Sequence, residues 1–163
     1  MNRRSLVLMV VTALAAGTAA FASPTLAKWP PWLSIESPVN PYDPSARGAL
    51  LLVHATFREG PSQLSDLAGS AEGIVGGARK SVALRFDTTG RPDVYALRRQ
   101  WPAEGRWILK LSLRTTTALV ALDTAGNVAS VQLPTQLTAT GDRVPRPVSA
   151  HDVDAALASV ASR

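Results

Sequence analysis

From position 49 onward the chain alternates apolar and polar residues with a period of two, the spacing that sends successive side chains to opposite faces of a β-strand. Over 49–58, Leu51, Val53, Ala55 and Phe57 alternate with Leu50, Leu52, His54 and Thr56. Val82, Leu84 and Phe86 then alternate with Ala83, Arg85 and Asp87, and Tyr95 and Leu97 with Val94, Ala96 and Arg98. The most regular run sets Trp107, Leu109, Leu111 and Leu113 against Ile108, Lys110, Ser112 and Arg114. Segments 118–122 and 128–133, joined by Thr124-Ala125-Gly126-Asn127, predict a last hairpin. Turn residues at 60–62, 88–92 and 102–105 separate the other strands. Residues 63–78 are rich in glycine and poor in strand formers. They predict only a short strand over 71–75, closed by a Gly76-Gly77 hairpin turn. Seven to eight short strands with no helix between them predict an all-β fold, an antiparallel β-sandwich.

The two ends read differently. Residues 23–48 form a proline-rich lead-in, with Pro24, Pro30, Pro31, Pro38, Pro41 and Pro44 excluding a helix. Within it, Trp32 to Glu36 can still pair at a sheet edge. Trp29 and Trp32 flank Pro30-Pro31 and are expected to close one end of the core, the competing reading being an exposed aromatic–proline platform. After a sandwich domain over 49–134, residues 135–163 turn polar. Ser149 is placed to cap a short helix over 150–161, with Asp152 and Asp154 in its first turn and Val153, Leu157 and Val160 on one face. So short a helix needs docking to persist; otherwise the segment is a polar tail. Residues 1–22 have the layout of a signal peptide: a basic start at Arg3-Arg4, an apolar run over 6–16, and Ala20-Phe21-Ala22 as a small-x-small cleavage site. Cleavage after Ala27 and a retained anchor are the alternatives. The expected location is the periplasm or the extracellular space, with membrane contact only transiently through the signal peptide.

Composition narrows the chemistry. The 163 residues contain no cysteine, which excludes disulfide scaffolds, thiolate metal sites and thiol catalysis. Loss of residues 1–22 lowers the net charge from +5 to +3. Between Arg79 and Arg114 lie nine basic and three acidic residues. If the alternation holds, Arg85, Arg98, Lys110 and Arg114 point away from the core, and on a shared sheet they would form a basic face for a protein or an anionic envelope component. The plainer reading is a solvated outer face that discourages edge pairing. Nucleic acid is not an expected partner, because no stacking aromatics are interleaved with the arginines. His54 is read as a half-buried strand histidine bonded to a backbone carbonyl. Nucleophile-elbow and phosphate-loop patterns are absent, and Glu36, Asp43, Glu59, Glu72 and Glu104 are scattered.

The run Val94-Tyr95-Ala96-Leu97, followed by Trp101-Pro102-Ala103-Glu104-Gly105-Arg106-Trp107-Ile108-Leu109, resembles bacterial extracytoplasmic immunoglobulin-like domains of the YtkA-like and FixH-like kind. In those families a tyrosine strand leads through a proline–glycine turn into a tryptophan-led strand. The resemblance covers about 81–113 and implies an immunoglobulin-like sandwich. Copper-handling relatives, and CopC-like domains, use clusters of His and Met. Here Met1 and Met9 fall within the signal peptide and the only histidines are His54 and His151, so no metal site and no cofactor is expected. The resulting expectation is a non-catalytic exported binding or accessory module making protein or envelope contacts. A periplasmic carrier of metal or small molecules, or a hydrolase with an unrecognised site, are the alternatives.

Overall fold

The structure, a computed structural model, describes residues 30–58 and 60–161. The signal-peptide segment and Trp29 lie outside them. The protein is mostly β, with antiparallel sheets. One sheet contains β1 (Trp32–Glu36), β2 (Leu51–Thr56), β5 (Asp87–Thr88) and β6 (Val94–Leu97), in the order β1-β2-β6-β5. The other contains β3 (Leu67–Val75), β4 (Ala78–Ala83), β7 (Arg106–Leu113), β8 (Thr116–Leu122) and β9 (Val128–Gln132), in the order β4-β3-β7-β8-β9. A separate hairpin of β10 (Thr135–Leu137) and β11 (Arg143–Pro145) precedes the helix α1 (Ala150–Ala161). Nine strands therefore lie in the two larger sheets of the described residues, against the seven to eight expected.

One apolar core joins the inner faces of the two sheets. Leu33, Leu51, Val53, Ala55, Tyr95 and Leu97 from one sheet meet Leu67, Ala71, Trp107, Leu109, Leu111 and Val120 from the other. The period-two phase of the sequence accounts for this, since each of these residues sits on the apolar side of its strand. Trp101 belongs to the same core, 4% exposed, beside Trp107 at 2%.

Strand β3 is longer than its sequence suggests. Its small residues are a packing requirement: Gly73 pairs with Trp107 in the β3–β7 register, and a Cβ on Gly73 would lie 2.4 Å from the indole Cε3. Gly105, at φ +90, turns the chain into β7 close enough to β3 that a Cβ there would meet the Ile74 carbonyl oxygen at 2.6 Å. The Trp107 Nε1–H donates to the Glu104 carbonyl at 2.8 Å, so the buried ring keeps its polar edge satisfied.

The run expected as one strand over 82–87 is split. Strand β4 ends at Ala83 in the five-stranded sheet, and β5 begins at Asp87 in the four-stranded one. Between them Leu84 and Phe86 stay buried while the backbone crosses from sheet to sheet. The side chain of Gln100 takes the place of a neighbouring strand: its Oε1 accepts from Arg85 N at 2.9 Å and its Nε2 donates to Arg85 O at 2.7 Å.

Both outer faces are partly covered. Val153, Ala156 and Leu157 of α1 pack on Ile108 and Leu119 of the five-stranded sheet. The tail is thus a docked helix with the apolar face that the sequence pattern predicts. Ser149 and Asp152 form a reciprocal N-terminal box: Asp152 N–H donates to Ser149 Oγ at 3.2 Å, and Ser149 N–H donates to Asp152 Oδ2 at 2.8 Å. Arg146 adds two bonds to the same carboxylate, at 2.6 and 2.7 Å. These donors, Arg146 first and then Ser149, hold the Asp152 carboxyl well below the usual carboxylate range. On the four-stranded sheet, Ala46, with Val39 and Ala49 beside it, covers Leu52, Val94 and Ala96.

Trp107→Ala should lower stability by about 3–5 kcal/mol and Gly73→Ala by about 1–3 kcal/mol, read by denaturant unfolding. An unchanged midpoint in both would contradict the wedge between β3 and β7. Because the Asp152 pKa is depressed in the folded protein, its contribution is present above the normal carboxylate range and is lost as pH falls through and below it. The difference in Tm between the wild type and Asp152→Asn should therefore be present near neutrality and vanish in strong acid. A difference independent of pH would assign the effect to packing instead.

Candidate functional site

The outer face of the four-stranded sheet is only half covered. With Leu33 and Ile35 turned to the core, Trp32, Ser34 and Glu36 of β1 point outward, and so do His54 and Thr56 of β2. The register sets Trp32 opposite Thr56 and Ser34 opposite His54. Beyond the reach of the 38–49 loop, this end of the face is open. Trp32 is 71% exposed, so the expectation that it closes the core is overturned; its outward phase on an edge strand is the reason.

His54 lies diagonally across from Glu36 and contacts its Oε2 through Nε2 at 2.8 Å. Its partner is a carboxylate rather than the backbone carbonyl expected. A carboxylate oxygen accepts here, so the contact requires a proton on Nε2. Arg91 Nη1 donates to the same Oε2 at 3.2 Å and lies 3.9 Å from Asp43 Oδ2. Asp43 is held in turn by Ser45, whose hydroxyl and N–H donate to Oδ1 at 2.6 and 2.9 Å and lower the Asp43 pKa. Thr89 Oγ1 fixes the turn carrying Arg91, accepting from Arg91 N at 3.1 Å and donating to Val94 O at 2.8 Å. A depression of about 250 Å³ lies along this turn. Glu36 and Asp43, scattered in sequence, are thus gathered around Arg91, with exposed Trp32 and Tyr42 nearby along β1 and the loop.

The arrangement supplies fixed hydrogen-bonding groups and an exposed indole. Ser34 Oγ, opposite His54, makes no hydrogen bond to it among the described residues. No group of three or more potential metal-ligating side chains occurs among the described residues.

The four basic residues singled out by sequence do not share a sheet face. Arg85 is in the crossing between sheets, and Arg98 follows β6 of the four-stranded sheet. Lys110 is in β7 of the five-stranded sheet, beside the face that α1 covers, and Arg114 is in the β7–β8 turn. Only Arg85 and Arg98 are drawn together, through Gln100 Nε2, which donates to both of their carbonyls. Arg98 is paired with Asp87. Arg114 donates to Asp66 at 3.0 Å and lies over Phe57, 4.5 Å from the ring centroid. The stripe fails because the chain changes sheets at 84–86 and again before β7.

Comparison with family models, curated proteins and solved structures gives no match to this chain. Among the described residues, no helix is long and apolar enough to cross a membrane.

With the imidazole neutral, nitrogen NMR should show His54 protonated at Nε2, and Glu36→Ala should convert it to a mixture of tautomers. A ring protonated at Nδ1 in the wild type would contradict the assigned contact.

Proposed function

We propose that this protein is an exported, non-catalytic binding module with an immunoglobulin-like sandwich, and that the open end of its four-stranded sheet contacts a protein partner. The observation that carries the reading is Trp32, exposed on a sheet face beside the ordered Glu36–His54–Arg91 group while Trp101 and Trp107 are buried. Exposed tryptophan and arginine among fixed polar groups are the composition of energetically dominant contact residues. The carboxylates of Glu36 and Asp43 beside Arg91 favour a partner of mixed charge over an anionic polymer.

The immunoglobulin-like part of the reading is supported by the placement of the residues that carry the YtkA-like and FixH-like resemblance. Tyr95 in β6, Trp101 in the connection and Trp107 in β7 all enter one core, and the proline–glycine turn carries the chain between the sheets. Export rests on the three-part pattern of residues 1–22.

Native mass spectrometry of the protein isolated from its own envelope fraction tests the proposal. The expected result is a complex containing one further polypeptide, lost in Trp32→Ala and kept in Arg85→Glu. A bare chain from the wild type, or a complex that survives Trp32→Ala unchanged, would overturn it.

A further inference from the structure

On the opposite side of the molecule, a groove of about 300 Å³ runs between α1 and the β3–β4 hairpin. Ile74, Leu157 and Ala158 give it an apolar floor, and Gly77, in the hairpin turn, leaves its mouth without a side chain. Two arginines line it, and their situations differ. Arg79 is paired with Asp154 of the helix. The side chain of Arg106, half-buried at the start of β7, has no hydrogen bond or ion pair among the described residues.

We propose that this groove binds a small aliphatic carboxylate, a single anionic head on a short hydrocarbon tail, with Arg106 as the head-group residue. The planar guanidinium fork matches a carboxylate with two parallel hydrogen bonds, and a partly dehydrated cation without a partner favours an anion brought by the ligand. The floor of Ile74, Leu157 and Ala158 favours the tail by removing it from water. With Arg79 answered by Asp154, the groove offers one uncompensated positive charge, which matches a monoanion better than a doubly charged phosphate monoester. The volume, at the lower end of ligand pockets (roughly 300–1,000 Å³), limits the tail to a short chain. The site is separate from the contact face proposed above and stands or falls independently of it.

Octanoate is the probe, with octanol, acetate and octyl phosphate as comparisons, titrated into the full chain while backbone amide shifts are followed by NMR. Octanoate should shift Ile74, Gly77, Arg106 and Leu157 as one saturable group. Octanol, acetate and octyl phosphate should bind at least tenfold more weakly. Arg106→Gln should weaken octanoate at least tenfold. Ala158→Phe, a change on an exposed helix position, should fill the groove and abolish the shifts while thermal unfolding stays near that of the wild type. Equal affinity for octanol, affinity unchanged in Arg106→Gln, or shifts scattered over the surface would overturn the proposal.

Discussion

The indole of Trp107 occupies the space that a side chain at residue 73 would need, and the two-sheet body is arranged around that contact. Gly73 lets β3 run against β7 with the ring lying across it, and Gly105 lets the preceding turn approach Ile74 just as closely. The ring in turn reaches the core shared with Tyr95 and Leu97 of the other sheet. Without cysteine, close packing of this kind has to hold the sheets together.

The pieces added outside the sandwich determine what is left for function. Helix α1 covers part of the five-stranded sheet and, by lying beside the β3–β4 hairpin, forms the groove that Arg106 lines. The 38–49 loop covers Leu52, Val94 and Ala96 but stops short of Trp32 and His54. The Glu36–His54–Arg91 group sits at the boundary between covered and open sheet, where Asp43 from the loop comes near Arg91. Loop placement, more than strand chemistry, thus exposes the candidate contact face.

Much of this was legible from periodicity. The alternation in β2, β6 and β7 identifies their buried faces, and Ser149 with Asp152 marks the helix start, because a cap is a local event written in adjacent residues. Strand β3 was largely hidden, since Gly73 answers to Trp107 and Gly69 to Leu84 and Leu111, and its small residues carry no amphipathic contrast of their own. The crossing at Leu84–Phe86 was hidden for the opposite reason: burial alternates without a break while the hydrogen-bond partners change. The sequence assigned no phase to β1, and only the paired strands show that Trp32, Ser34 and Glu36 share an open side on which His54 meets Glu36. The basic stripe assumed strands that are close in sequence share a sheet, and β6 and β7 do not.

If Trp32 stands on a contact surface, it is covered in the envelope and bare in isolation. Hydroxyl-radical footprinting of the protein in intact envelopes and after purification compares the two states directly. Trp32 should be strongly oxidised in the purified chain and protected in the envelope, with Tyr95 and Trp107 unreactive in both. Equal oxidation of Trp32 in the two settings would contradict it.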